Sequence, residues 1–278
     1  LKLLIFGAGG MAGHVLFQYF QRDGNYEVWG TARKQGLDPN IVELDARDQD
    51  GVLGMIDDIQ PDVVINCVGV LNQFAERDLT QAIYVNALFP HLLKDFSNQF
   101  GYRLIHLSTD CVFSGLRGGY RETDQPDGAT AYARTKTLGE VVDARNVTIR
   151  TSIIGPERKA DGIGLFHWFM GQTGEVSGYR NVFWNGVTTL ELAKAVQWLM
   201  HRPITGLVHL AAPQPVSKYE LLVLLKEAFG RGDIEVIPVD EPRSDKTLVN
   251  TRPDFTFQVS PYAIMLDELR WFMSQVLR

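Results

Sequence analysis

Gly7-Ala8-Gly9-Gly10-Met11-Ala12-Gly13 lies between an apolar pentapeptide at 2–6 and an apolar-periodic stretch at 11–20. A glycine run placed after a strand and before a helix leaves few folds open. Gly7 permits the tight turn, Gly10 lets the backbone approach a pyrophosphate, and Gly13 lets the helix pack closely on the sheet. Gly9 and Met11 complete the turn. The helix N-terminus adds free N–H groups and a partial positive charge, which suit phosphate. In isolation such a turn is a weak signal. Its weight here comes from the alternation of strands and helices along the next 140 or so residues.

Hydrophobic periodicity predicts strands at 2–6, 26–31, 41–44, 63–67, 102–108 and 147–150, with helices at 11–20, 48–59, 78–100 and 131–143. Parallel strands need crossover connections, so this alternation predicts an α/β fold with a doubly wound parallel Rossmann sheet. Beyond 150 the pattern loosens, with helices at 163–172, 189–201, 217–230 and 261–273 and strands at 207–211 and 234–238. The expected division is a dinucleotide-binding domain over 1–150, to which 181–212 returns. A smaller C-terminal α/β substrate lobe takes 151–180 and 213–278, with 231–253 as a surface loop over the cleft.

Lys plus Arg number 27 and Asp plus Glu 33, a net charge of −6, and no basic block occurs. A nucleic-acid partner working by phosphate neutralisation is therefore not expected. No apolar run approaches the ~20 residues that span a bilayer, so no membrane partner is expected either. The chain opens directly in a strand pattern without a basic-then-apolar leader, and a cytoplasmic protein is the expectation. Two cysteines and six histidines show no metal-ligand spacing, and no metal is expected. A homodimer is compatible with the sequence.

The second predicted strand ends at Arg33-Lys34, where NAD-binding chains place an acid for the ribose hydroxyls. A basic pair suits the 2′-phosphate of NADP(H), with NAD(H) as the second option. Asp45 either hydrogen-bonds the adenine amino group or caps the next helix. Tyr132 and Lys136 stand at i and i+4 on one helix face. An ammonium beside a phenol lowers the phenol's pKa and aids proton transfer near neutrality. Ser108-Thr109-Asp110 puts a hydroxyl at the carboxyl edge of the fifth strand, where open α/β sheets bind ligands.

These motifs, in this order, resemble the extended short-chain dehydrogenase/reductases, and within them the dTDP-4-dehydrorhamnose reductase family. The matching stretches include Pro61-Asp62-Val63-Val64-Ile65-Asn66, Val85-Asn86-Ala87, Leu107-Ser108-Thr109-Asp110-Cys111-Val112-Phe113, Tyr132-Ala133-Arg134-Thr135-Lys136 and Gly186-Val187-Thr188-Thr189. The resemblance implies NADPH-dependent reduction of the 4-keto group of a nucleotide-activated 6-deoxysugar. It makes Tyr132 the proton donor, Lys136 its tuning group and ribose ligand, and Thr109 the hydroxyl that polarises the ketone. It runs the backbone of Asn66, Cys67 and Val68 past the cofactor. Asp110, Arg150, Arg158 and Trp184 are the candidates for the nucleotide-sugar substrate, a structural salt bridge being as open for Arg150, with Lys246 and Arg252 as further phosphate candidates. Asn86 is either a water anchor near Lys136 or a structural polar group.

Departures from the family pattern are Cys67-Val68-Gly69-Val70 after Asn66, where alanines are usual, and Cys111, often tyrosine. They point to a different sugar or nucleotide, such as a UDP-linked N-acetylated ketosugar. The related dehydratases carry Glu after Thr-Asp; Cys111 stands there, which argues against elimination of water. The competing reading is a non-catalytic NADP-binding regulatory subunit of another enzyme.

Overall fold

The computed structural model describes residues 1–34, 38–158 and 162–277. The first half comprises β1 (Lys2–Phe6), α1 (Met11–Asp23), β2 (Glu27–Ala32), β3 (Ile41–Glu43), α2 (Gln49–Ile59), β4 (Val63–Asn66), α3 (Asn72–Arg77) and α4 (Leu79–Ala82). A π-helical turn over Ile83–Leu88 leads into α5 (Phe89–Phe100), followed by β5 (Arg103–Thr109), a 3-10 turn over Asp110–Val112, α6 (Ala131–Leu138) and β6 (Val147–Thr151). The second half has β7 (Ile153–Ile154), α7 (Leu165–Met170), β8 (Gly174–Tyr179), β9 (Val182–Trp184), β10 (Val187–Thr188), α8 (Thr189–Met200) and β11 (Gly206–His209). It ends with β12 (Val216–Ser217), α9 (Lys218–Ala228), β13 (Ile234–Val239), β14 (Ser244–Asp245) and α10 (Tyr262–Gln275).

Seven strands form one parallel sheet in the order β11-β6-β5-β4-β1-β2-β3. Alternate side chains of β1 feed its two faces. Leu3 and Ile5 pack with Leu16 and Phe17 of α1 and Leu199 of α8. Leu4 and Phe6 pack with Ile56 of α2 and Phe89 and Leu93 of α5. The strand order reverses between β1 and β4, so a crevice opens at their carboxyl ends. Gly7 makes its turn at φ +86, and a Cβ on Gly13 would sit 2.1 Å from the Gly7 carbonyl oxygen. The close approach required of both glycines is therefore real.

The continuous helix expected over 78–100 is broken into α4, the π turn and α5. Pro90 is the physical reason, because it has no N–H for the carbonyl four residues back, that of Asn86. Gly139, just after α6, abuts that same carbonyl: a Cβ there would lie 1.8 Å from the Asn86 oxygen. The break lets α6 seat against the turn. It also ends α6 earlier than the 131–143 expected, since Gly139 closes its last turn.

In the second half α8 and β11 join the main domain, α8 against α1 and β11 beside β6. β9, expected among the residues returning to that domain, pairs instead with β12 and β14 in a separate three-stranded sheet. β8 pairs with β13. Phe166, Phe169, Trp184, Leu221, Leu225 and Ile234 form the core of this lobe. The stretch at 231–253 is more ordered than a surface loop. It contains β13 and β14, and Tyr120 forms a bridge to Leu248. Among the described residues no helix is long and apolar enough to cross a membrane.

Gly139→Ala should lower unfolding free energy by about 1–3 kcal/mol, because the added methyl forces α6 off the π turn. Urea unfolding monitored by circular dichroism checks this.

Candidate active site

The amino end of α1 carries no side-chain cap, and its first turn has no acidic residue. Gly10, at the N-cap, is exposed. The free N–H groups of the first helical turn beyond it fit a dinucleotide diphosphate. Arg33 is exposed just past β2. Asp45 is held by Arg47: Nε donates to Oδ1 at 3.0 Å and Nη2 to Oδ2 at 2.8 Å. The Arg47 guanidinium, and secondarily the charge of Arg33, hold the Asp45 carboxyl below its usual range. Arg47 was not singled out in the sequence, although it lies two residues past Asp45. It brings a second guanidinium to Asp45, already paired with that carboxylate.

Asn66 ends β4 and is wholly buried. Its Oδ1 accepts the Val68 N–H at 3.1 Å, and the Val68 side chain packs on Gly7. Burial pushes the Cys67 thiol up to about 12, against the pull of Lys136. Cys67 is thus a neutral wall of the crevice, not a thiolate. The charge of Arg158 reaches His14 of α1 and adds to the burial that lowers the imidazole pKa. Nearby, Glu157 Oε1 accepts the Gly164 N–H at 2.5 Å, and Gly164 abuts Met11.

Thr130 caps α6, its hydroxyl accepting the Ala133 N–H at 3.1 Å. That cap starts the helix so that Tyr132 and Lys136 share its buried face. Thr109 ends β5; its Oγ1 accepts the Cys111 N–H at 3.1 Å and donates to Asp110 Oδ1 at 3.2 Å. The Thr109 side chain is close enough to the Tyr132 phenol to oppose the rise of its pKa. Lys136 Nζ donates to the Leu107 carbonyl at 2.6 Å. The expectation that Lys136 lowers the phenol's pKa is corrected here. Burial raises the Tyr132 pKa, the nearby Cys111 and Asp110 add to the rise, and only the Thr109 side chain opposes it. Burial pushes Lys136 down to about 8, against Glu140 and Cys67. Desolvation is the largest influence on each group, and neither registers the charge of the other.

Arg150 does not face a ligand. It is 3% exposed, its Nε and Nη2 each donate to Glu140 at 2.7 Å, and its guanidinium lies over Phe113. Glu140 also accepts the Ser108 hydroxyl at 2.7 Å. Trp184 is likewise a core residue, donating from Nε1 to Ser152 Oγ at 2.8 Å and packing on Tyr262. Asn86 is saturated by the backbone of Val70 and by Thr135, which leaves no free donor for a water near Lys136. Arg252 is paired to Asp254 and to the carbonyls of Thr205 and Leu207.

Asp110 stands at the cleft with two lysines. Burial raises its carboxyl pKa, and Lys246 and Lys218 pull it back down. Lys218 Nζ lies 5.0 Å from the centre of the Trp184 ring. Lys218 was missed in the sequence. It directly follows β12, and Lys246 directly follows β14, so both lysines flank β9.

A doubly wound sheet with a glycine turn after its first strand, and a Thr109–Tyr132–Lys136 set at its carboxyl edge, defines the extended short-chain dehydrogenase/reductase class. The model of the RmlD substrate binding domain family matches residues 1–254, and the chain belongs to that family. A dTDP-4-dehydrorhamnose reductase of Aggregatibacter actinomycetemcomitans is 32% identical over 157 residues; that match covers 54% of this chain and 51% of the relative, about half of each. Methionine adenosyltransferase 2 subunit beta of Danio rerio is 25% identical over 255 residues, 86% of this chain and 77% of its own. A solved dTDP-4-dehydrorhamnose reductase from Bacillus anthracis, in complex with NADP, shares the fold with a TM-score of 0.83 at 20% identity, covering 97% of this chain and 98% of that one.

Arg150→Met should cost about 3–5 kcal/mol in unfolding free energy, because it strands the Glu140 carboxylate in the core. Denaturant unfolding reads this directly. A variant as stable as the parent would make Arg150 a ligand-binding candidate again.

Proposed function

We propose that this chain is an NADPH-dependent reductase of the 4-keto group of a nucleotide-activated 6-deoxysugar. The observation that carries the reading is the placement of Thr109 at the end of β5, close to the Tyr132 phenol, with Tyr132 and Lys136 both buried on α6. NADPH, when bound, supplies the hydride. The other work falls to side chains of this chain.

Burial keeps Tyr132 protonated throughout the neutral range, as a proton donor requires. Its O–H gives the proton to the ketone oxygen, and the Thr109 hydroxyl hydrogen-bonds that oxygen as negative charge develops. The phenolate left behind is stabilised by the Lys136 ammonium. Its Leu107 contact uses one N–H and leaves two for the phenol and a ribose hydroxyl. Gly7, Gly9, Gly10, Met11 and Gly13 receive the diphosphate. Arg33 recognises a 2′-phosphate, which favours NADP(H) over NAD(H). Asp110, Lys218 and Lys246 form the sugar-nucleotide wall, where two cations suit an anionic substrate. Cys111 at that wall supports a sugar other than dTDP-4-dehydrorhamnose, with UDP-linked N-acetylated ketosugars first to be tried.

The second reading, a regulatory subunit that binds NADP without turnover, is supported by the alignment with methionine adenosyltransferase 2 subunit beta along most of the chain. Retention of Thr109, Tyr132 and Lys136, all buried, favours the enzyme.

The protein with NADPH and a panel of dTDP- and UDP-linked 4-keto-6-deoxysugars should consume reduced nicotinamide with one of them. Tyr132→Phe should lower kcat by about 10²–10⁴-fold with NADPH binding retained. Tight NADPH binding with no turnover on any sugar would favour the regulatory subunit. A second expectation concerns pH. The Lys136 ammonium is present below its pKa of about 8 and lost above it, so kcat/KM should decline as pH rises through that value. A profile flat across that range would show that the ammonium is not required.

A further inference from the structure

His106 lies inside β5 with no exposed surface, and neither the cofactor cradle nor the sugar wall uses it. In the sheet it is paired in register with Asn66 of β4. The Asn66 amide has only one satisfactory orientation. Its Oδ1 accepts the Val68 backbone N–H at 3.1 Å, and the reversed amide would set donor against donor. Nδ2 therefore faces His106 Nδ1, 3.1 Å away. An amide NH2 only donates, so Nδ1 must hold a lone pair. The neutral ring then carries its proton on Nε2. That nitrogen faces Lys136 Nζ at 3.5 Å. An N–H directed at an ammonium finds no acceptor, whereas directed at a neutral amine it finds a lone pair. The Leu107 carbonyl accepts from either form of the lysine.

We propose that Asn66 and His106 form a tautomer lock on Lys136, in which the amide fixes the imidazole as Nε2–H and the imidazole disfavours the ammonium relative to the amine. Both are positioning residues. The tautomer stands on geometry alone; its effect on turnover rests on the reductase reading. The titratable groups facing Lys136 are His106 from β5, Cys67 after β4, Tyr132 on α6 and Glu140 just beyond it. His91 of α5 is the other charge near His106. Glu140 favours the ammonium but is shared with Arg150 and Ser108. Cys67 stays neutral. Burial holds His106 neutral well below its ordinary range, so the lock does not open by imidazole protonation.

The test is imidazole ¹⁵N NMR of the full-length protein, with Lys136 followed by its side-chain ¹³C shift on the same sample. From about pH 6 to about pH 9, His106 should show an unprotonated Nδ1 and a protonated Nε2. An Nδ1–H ring, or an imidazolium in that range, overturns the proposal. Asn66→Asp replaces the donor with an acceptor and should flip the tautomer. It should raise the Lys136 midpoint by about one pH unit or more, and the alkaline limb of turnover with it. The same substitution in a His106→Phe background measures the direct effect of the new charge. An equal rise without the imidazole overturns the lock. If no sugar is turned over, the reductase reading fails, while the two NMR titrations still decide the lock.

Discussion

The Glu140–Arg150 ion pair determines where the carboxyl end of α6 lies, and the site depends on that position. Glu140 is four residues past Lys136 and eight past Tyr132. Its two oxygens reach Arg150 of β6 at 2.7 Å each, and one also takes the Ser108 hydroxyl of β5. One carboxylate thus joins the helix to two adjacent strands. Both partners are almost wholly buried, so their desolvation consumes much of the Coulomb gain. Bidentate geometry, the serine and the Phe113 ring offset that cost. What the pair contributes is register: a slip of α6 by one residue would leave the buried charges unmatched. The Gly139–Asn86 contact sets the same helix end from the opposite side, and there only glycine fits.

With α6 fixed, burial does the electrostatic work in the resting site. It raises the phenol of Tyr132, lowers the ammonium of Lys136 and raises the carboxyl of Asp110, in each case disfavouring the charged form. The three shifts have one cause and three chemical consequences. The phenol keeps its proton, as the proposed donor role requires. The lysine is brought near neutrality, where gain and loss of its proton are both accessible. The aspartate depends on two lysines for its charge, so an anion competing for those lysines alters its ionisation.

Much of the fold was legible because the signals are local. Short continuous apolar runs on 2–6 and 63–67 and the glycine run between strand and helix depend on neighbours a few residues away. Tyr132 and Lys136 were legible for the same reason, as an i, i+4 pair. The interrupted helix at 83–88 was missed because apolar spacing continues through it, although Pro90 was visible and the broken ladder follows from it. Arg150, open in the sequence as a phosphate ligand or a salt-bridge partner, is the latter, and Trp184, read toward the substrate, lies inward. A guanidinium suits phosphate and carboxylate alike, and only the tertiary structure delivers Glu140. The indole N–H of Trp184 is taken by Ser152, a residue far away in the chain. Lys218 left no local trace, because its relation to Asp110 is made by β12 pairing with β9. The expected rise in acidity of Tyr132 failed for a different reason: composition and spacing report the neighbouring charge but not the loss of water.

The small three-stranded sheet separates the chemistry of the site from its selectivity. Thr109, Tyr132 and Lys136 belong to β5 and α6, within the main domain. Lys218 and Lys246 follow the two strands that flank β9, in the lobe. Neither lysine holds the reacting hydroxyls in place, so either can change without moving the proton donor. Part of the connection between the two halves is made by backbone. The Asp245 N–H donates to the Gly115 carbonyl at 2.7 Å, and the Tyr120 N–H donates to the Thr247 carbonyl at 2.9 Å. Gly118, at φ +74, lets the Asp245 carboxylate lie where a Cβ would otherwise be. Because main-chain bonds do not depend on side-chain identity, the lobe can be held over the strand ends while its side chains vary. A fold arranged this way can keep one reduction chemistry and change the sugar nucleotide it accepts through residues 182–184, 216–218 and 244–246.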